Sequence, residues 1–204
     1  MFLMIDQKEP TPTRERILET VDRLFYRQGI RAVGVDAIAA ELGISKKTLY
    51  RHFPSKDDLV VAYLKGRFRP LPADSDKPPA EQILKNFEWF ARSLAMAEDY
   101  RGCAFLNALA ELGEAESEAR TRAIEFKESR RLWFRDLLMQ LGVTDAEGLA
   151  TQLALLVDGS IAQDLVRDDP AMARAAKQAA KVLLANAGVR IDGPGPLSTQ
   201  GNKK

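Results

Sequence analysis

The sequence predicts an all-α protein, and the positions of its prolines are the clearest indication. The 204 residues include 10 prolines, yet none of these lies within 13–53 or 80–169. Because proline disrupts the interior of a helix, such long proline-free stretches are where helices can form. Apolar residues within 17–25 recur with helical spacing, and no stretch alternates apolar and polar residues for long enough to indicate a strand. We therefore predict an N-terminal three-helix head joined to a C-terminal helical bundle, with about nine helices in all.

The boundaries of the predicted helices follow from turn and capping residues. Gly29 ends the first helix, Ser55 and Asp58 have the spacing of a capping box, and Asp169 with Pro170 begins the last helix. The predicted helices span 13–28, 35–42, 46–53, 56–68, 80–98, 103–113, 117–141, 145–166 and 170–187.

Two proline-rich segments mark where the compact parts of the chain end. Residues 69–79 contain four prolines, and 193–196 read Gly-Pro-Gly-Pro before a polar end. We predict a head at 1–55, a body at 56–190 and a disordered tail at 191–204.

The composition argues against most enzyme classes and against a membrane protein. With a single cysteine and a single histidine, the chain has few soft ligands for zinc or iron and forms no internal disulfide. It has no glycine-rich phosphate loop, no nucleophile elbow and no second histidine for a catalytic triad. The N-terminal residues lack the features of a signal peptide, and no segment stays apolar over the ~20 residues of a membrane span. We expect a cytoplasmic protein with no cofactor, metal site, enzymatic activity or membrane contact.

Charge is unevenly distributed along the chain. Residues 1–70 hold 13 lysine and arginine residues against 9 aspartate and glutamate residues, a net charge of +4, whereas the remainder carries −3. A basic segment on an acidic remainder favours a head that contacts nucleic acid, although this modest excess also suits an ordinary solvated surface.

The segment 35–58 has the pattern of a helix-turn-helix. Ala39 is small enough for two short helices to cross closely, and Gly43 can adopt the left-handed conformation of the turn between them. Ser45 can cap the second helix, in which Leu49 faces inward.

The remaining surface of this second helix has the chemistry of a DNA-binding face. With Leu49 and Phe53 inward, helical geometry leaves these residues for the surface: Lys46, Lys47, Thr48, Tyr50, Arg51 and His52. Cations and hydroxyls suit phosphates and base edges in a major groove. No acidic residue occurs from 43 to 56, whereas a merely solvated helix, which is the alternative, usually mixes acidic with basic residues.

These motifs resemble the DNA-binding domain of the TetR family of bacterial transcriptional repressors. The resemblance covers about 13–64 in order and spacing, and its most specific part is the run Ser45-Lys-Lys-Thr-Leu-Tyr-Arg-His-Phe-Pro-Ser. Residues 101–112 resemble a segment in the ligand-binding half of some members. The resemblance implies a homodimer that binds a palindromic double-stranded DNA operator. It also implies release when a small molecule binds the ligand-binding and dimerisation domain at 56–190.

The resemblance, carried over position by position, implies distinct roles for residues of the recognition helix and its flank. Lys46, Lys47 and Thr48 would contact base edges, Tyr50, His52 and Lys56 would contact phosphates, and Arg51 would do either. It further implies that ligand binding tilts the helix at 56–68 and so changes the separation of the two recognition helices.

The body carries aromatic residues at helical spacing, which are typical of an ordinary core and also of an apolar ligand pocket. The candidate pocket residues are Phe87, Phe90, Leu94, Cys103, Asn107, Phe126 and Trp133. They imply an unidentified, largely apolar small-molecule effector. Cys103 lies beside Arg101, where its thiol would be reactive, although a free cysteine is more often a small buried hydrophobe.

The last two predicted helices are rich in small and apolar residues, which let helices approach closely. The candidate dimer contacts are Leu153, Leu156, Val157, Ser160, Ile161, Met172, Ala176 and Leu183. Packing within one chain is the alternative explanation of this pattern.

Two other functions remain open from the residues alone. A helix-turn-helix can act as a protein-binding adaptor rather than a DNA reader. An all-α enzyme would have to use the acidic cluster of Glu111, Glu114, Glu116 and Glu118, which lacks the histidines of a di-iron centre.

Overall fold

The computed structural model describes residues 13–71, 76–95, 100–113, 117–167 and 171–191, without the side chains of 90–95 and 167. All regular secondary structure in these ranges is helical. The nine helices are α1 (Thr13–Gln28), α2 (Val35–Leu42), α3 (Lys46–His52), α4 (Lys56–Arg67), α5 (Pro79–Ala95), α6 (Ala104–Leu112), α7 (Glu118–Gln140), α8 (Ala146–Arg167) and α9 (Ala171–Asn186). The predicted all-α fold is therefore confirmed. None of the helices in the described part of the chain combines the length and the apolar character that a bilayer span requires.

The chain divides into two compact units, each built from two separate segments. The head unit comprises residues 1–68 and 104–125, and the body unit comprises 69–103 and 126–204. The boundaries of these two units differ from the boundary predicted between the domains at 1–55 and 56–190. The predicted domains are defined by function, and they stay predictions. Apart from Ile191, the predicted tail at 191–204 lies outside the described residues.

The core of the head unit is built on the apolar stripe of α1. Ile17, Val21, Leu24 and Phe25 are all buried, and α1 packs against α2 and α4. The ring of Phe25 meets that of Tyr63 from α4 edge to face, with centroids 5.7 Å apart. Each buried side chain of this size contributes roughly 1.5–3 kcal/mol to folding, so this stripe stabilises the packing of α1 against α2 and α4.

An ion pair also connects α1 and α4 in the head unit. The Arg67 guanidinium donates to both carboxylate oxygens of Asp22, at 2.5 and 2.8 Å, and lies 3.9 Å from the ring centroid of Tyr26. Burial lowers the pKa of Arg67, but the hydrogen bond and charge of Asp22 outweigh this and raise it overall. The bidentate geometry fixes the C-terminal end of α4 against α1.

The body unit has a separate core formed largely by α5, α7, α8 and α9. Phe87 from α5 stacks on Phe134 from α7 with ring centroids 6.2 Å apart. Leu153 of α8 and Leu184 of α9 are fully buried in the same cluster. These contacts leave one side of α5 and α7 to line a cavity.

Candidate nucleic-acid interface and body cavity

Helix α3, the predicted recognition helix, is positioned by its turn, its cap and two buried side chains. Gly43 adopts the left-handed conformation with φ of 64°, and Ser45 Oγ accepts a hydrogen bond from Thr48 N at 3.0 Å. Leu49 is completely buried and Phe53 is 3% exposed. The turn and the inward face of this helix therefore lie where the sequence pattern predicts them.

The predicted reading face of α3 lies at the surface. Lys47, Tyr50 and Arg51 are exposed, whereas Thr48 and His52 are half-buried. The Thr48 hydroxyl lies 3.0 Å from Ser45 Oγ, so it takes part in the helix cap. A face with two cations and a phenol hydroxyl next to an uncharged hydroxyl can hold phosphates and approach base edges.

Lys46 has a neighbour that the sequence did not reveal. Its Nζ lies 2.6 Å from Asp36 Oδ1 at the start of α2, and both side chains are more than half exposed. An exposed ion pair of this kind is worth at most about 1 kcal/mol. Lys46 is therefore paired with Asp36, but the pair is weak enough for Lys46 to bind another anion instead.

Lys56, at the start of α4, lies in a more enclosed environment than the residues of α3. It is half-buried, and burial lowers the pKa of its ammonium, while the charge of Glu111 acts in the opposite direction. Its predicted phosphate contact therefore competes with a carboxylate from α6 of the same unit.

The head unit includes two hydrogen bonds that connect distant parts of the sequence. A carboxylate oxygen of Glu111, at the end of α6, accepts from Arg31 N at 2.8 Å, in the loop between α1 and α2. Asp57 Oδ2, in the first turn of α4, accepts from Ala119 N of α7 at 3.3 Å. The first turn of α7 and the end of α6 are thereby tied to the helices that carry α3.

A cavity of about 450 Å³ lies in the body unit, between the segment after α4 and the helices α5 and α7. Both tryptophans of the chain, Trp89 and Trp133, line it. Its described lining also includes four basic residues: Arg69, Lys77, Lys85 and Arg130. The volume falls in the range of small-molecule sites.

The structure separates the predicted pocket residues. Trp133 lines the cavity, but Phe87 is 1% exposed and belongs to the body core. Cys103 is half-buried against that core, and Asn107 lies on α6 in the head unit. Phe126 is half-buried and, like Cys103 and Asn107, does not line this cavity. The side chains of Phe90 and Leu94 lie outside the described residues.

Most of the predicted dimer residues face the interior of their own chain. Five of them are buried and thus leave almost no surface for a partner: Leu153, Val157, Ser160, Ile161 and Ala176. Leu156 and Leu183 are partly buried against the body core, and Met172 is half-buried. Small and apolar residues mark the inward face of a helix in the same way as a dimer face, so the sequence pattern alone does not distinguish the two, and these dimer contacts stay a prediction.

Apolar residues also lie on the exposed side of α8, and one lies on the exposed side of α9. Leu155 is 66% exposed, Val166 is 76% exposed and Val182 is 59% exposed. Leu155, Gly159, Ala162 and Val166 are all exposed and follow one another at helical spacing along α8.

Comparisons with known proteins agree with this architecture. Residues 17–63 match the family model described as bacterial regulatory proteins, tetR family. A TetR-family transcriptional regulator from Streptomyces coelicolor has a similar structure, with a TM-score of 0.77 and 30% sequence identity, over 85% of this chain and 95% of that one. The chain belongs to the TetR family.

Two further relatives of this TetR-family chain are transcriptional regulators. A TetR-type regulator from Streptomyces avermitilis is 34% identical with a TM-score of 0.75, and the match covers 87% of this chain and 98% of that one. A helix-turn-helix-type transcriptional regulator from Staphylococcus aureus is 43% identical over 53 residues, which are 26% of this chain and 29% of that protein. The chain therefore matches under a third of the length of this Staphylococcus relative. It is a TetR-family transcriptional regulator with a helix-turn-helix DNA-binding domain.

Proposed function

We propose that this TetR-family regulator is a repressor that binds a palindromic double-stranded DNA operator as a homodimer. A small molecule in the body unit then releases it. The observation that carries the proposal is the exposed face of α3, where Lys47, Tyr50 and Arg51 project from a helix anchored by Leu49 and Phe53. A short, rigid, basic helix without acidic residues fits a DNA major groove.

The residues of this face and its flank contact two different parts of the DNA, the base edges and the phosphates. Three side chains near the front of the helix contact base edges, namely Lys46, Lys47 and Thr48. Tyr50, His52 and Lys56 hold phosphates, and Arg51 contributes to either. Tyr50 is exposed whereas His52 and Lys56 are half-buried, so Tyr50 is the most accessible of the three phosphate contacts.

The homodimer forms through the outward faces of α8 and α9. Exposed Leu155, Val166 and Val182 are apolar, and exposed Gly159 and Ala162 are small enough to let a second α8 approach closely. Two helices from each subunit then form a four-helix interface. This interface uses the face opposite to the one that the sequence pattern favoured.

The dimer is tested by introducing a charge into this face. Val166→Arg should convert a particle of twice the 22.7 kDa chain mass into a monomer in analytical ultracentrifugation. Met139→Arg is the matched control, because Met139 is 63% exposed on α7 and is not one of the residues of this face. A monomeric wild type, or a Val166→Arg variant that stays dimeric, would contradict this interface.

Release by a ligand uses the connections inside the head unit. Glu111 and Asp57 tie α6 and the start of α7 to the loop after α1 and to α4. Since α7 continues as one helix from residue 118 in the head unit to residue 140 in the body unit, a ligand that displaces α7 changes the position of α4. The spacing between the two recognition helices then no longer matches the operator.

Selection from genomic DNA tests operator binding. The purified protein is incubated with fragments of its source genome, and retained fragments are sequenced at low and moderate salt. We expect a few palindromic sites, lost in a Lys47→Ala, Tyr50→Ala double variant and kept in Lys65→Ala, which removes an exposed lysine at the end of α4. Equal retention by the double variant would instead favour a protein-binding adaptor, whose binding need not fall steeply with salt.

A further inference from the structure

The cavity in the body unit combines an apolar wall with an excess of positive charge. Its described lining contains four basic residues and no carboxylate. Glu81, which is outside the lining, lies 2.7 Å from Lys85 Nζ and 3.4 Å from Lys77 Nζ, so one acid is shared between two ammonium groups. The charge at this cavity therefore favours an anion as its occupant.

Arg130 is half-buried, so one of these charges is partly withdrawn from water. Burial lowers the pKa of its guanidinium, and the nearby Cys103 thiol and Asp158 carboxylate raise it by less. Asp158 also forms an ion pair with Lys127, so its charge is shared. Because arginine stays protonated at neutral pH, a second anion beside Arg130 would be strongly stabilised in this environment.

The remainder of the lining suits an apolar body. Trp89 is 44% exposed, which is unusual for so large an aromatic side chain, and Trp133 lies in the same wall. Asn86 Oδ1 is buried and has no hydrogen-bond partner among the described residues, so it can accept from a hydroxyl or amide of a ligand.

We propose that this cavity binds an organic acid with an aromatic or aliphatic body, its carboxylate held by Arg130 and Lys85 and its body lying along Trp89 and Trp133. The inference rests on the proposed function, since it names the class of effector that releases the repressor. It also sharpens the expectation of a largely apolar effector. Two tryptophans alone would equally suit an organic cation, but four basic side chains around the cavity oppose one.

Matched pairs of acids and amides test the proposal with the full-length protein. The probes are benzoate, 3-phenylpropanoate and octanoate, each with its primary amide, and 3-phenylpropylamine as a cation. Since both tryptophans line the cavity, quenching of intrinsic fluorescence reports its occupancy, and titration calorimetry measures affinity. We expect at least one acid to bind about tenfold more tightly than its amide, as a charge-assisted hydrogen bond would give.

Variants show whether the acid occupies this cavity. Arg130→Gln should remove the preference for acid over amide, and Arg130→Lys should retain part of it, which separates loss of charge from loss of folding. Lys85→Gln, on the half-buried surface of α5, provides a second probe that does not disturb the interior. Arg135→Gln is the matched control, since Arg135 lies on the same helix outside the cavity lining and pairs with Asp136.

The acid-binding experiment and the operator experiment can fail independently of each other. Absence of acid preference in all three pairs, tighter binding of the amine, or a preference unchanged in both Arg130→Gln and Lys85→Gln would overturn the proposal. If an acid binds as expected but leaves operator binding unchanged, the anion cavity stands and the proposed release mechanism fails for that acid.

Discussion

The candidate functional side chains are positioned by local contacts in the head unit and by contacts between distant parts of the sequence in the body unit. In the head unit, one segment of eleven residues contains α3 and the features that position it. This segment includes the turn at Gly43, the cap at Ser45 and the buried side chains of Leu49 and Phe53. In the body unit, the cavity brings together Arg69, residues of α5 and residues of α7, and the first and last of these lie more than sixty positions apart. A function built on one short helix is therefore a local property, whereas the cavity exists only once separate helices have packed.

The largest expected effect breaks the local anchor of the head unit. Leu49→Ala should cost about 2–5 kcal/mol of stability and abolish operator binding, because it opens a hole behind the reading face. Circular dichroism should report a lowered unfolding transition. Met139→Ala, at an exposed site, should change the stability by less than about 0.5 kcal/mol.

Tryptophan fluorescence separates the two units in the same experiment. Both tryptophans lie in the body unit, so a local loss of head structure should leave their emission and acid binding unchanged. If Leu49→Ala instead changes tryptophan emission and helicity equally at the same temperature, the two units unfold together. In that case the head unit does not position α3 by local contacts alone.

A smaller effect tests the division of labour on α3. Lys47→Ala should lose about 1–3 kcal/mol of discrimination at one base pair, because a base-edge contact carries sequence information. Tyr50→Ala should instead weaken binding to every operator by a similar factor, because a phosphate contact does not. Binding measured across a panel of singly mutated operators distinguishes the two, and parallel losses in both variants would contradict the assignment.

The smallest effect concerns the ion pair between α2 and α3. Asp36→Ala should change stability by less than about 1 kcal/mol, since the pair with Lys46 is exposed. Operator binding should become tighter, because Lys46 is released for the DNA. Glu41→Ala is a matched control that also removes one acidic residue from α2, where Glu41 pairs with Arg23. Equal gains in both variants would show that net charge, and not release of Lys46, is responsible.

The candidate DNA-binding residues could be predicted because their environment repeats with the helix period. Burial of Leu49 and exposure of Lys47 follow from the spacing of residues on a single helix. The ion pair of Lys46 with Asp36 and the approach of Glu111 to Lys56 could not be predicted in this way. These contacts depend on how two helices cross, which spacing along one helix does not determine.

The exposed face of α8, which is the candidate dimer face, could not be predicted from helical spacing. Leu153 and Leu155 are both leucines on α8, yet the first is completely buried and the second is 66% exposed. Amphipathic spacing locates one apolar face, but α8 carries apolar residues on more than one side. Only packing against α9 and the body core decides which face remains available to a partner.

The sequence by itself determined the all-α fold, the nine helices of the described residues, the helix-turn-helix and the exposed face of α3. Each of these depends on proline positions, capping residues or helical spacing, which act over a few neighbouring residues. Only the tertiary structure decided the composition of the two units, the basic cavity around Arg130 and the face of α8 that stays exposed. These features arise from contacts between residues far apart in the chain, and such contacts form only when the helices bury their apolar faces against one another.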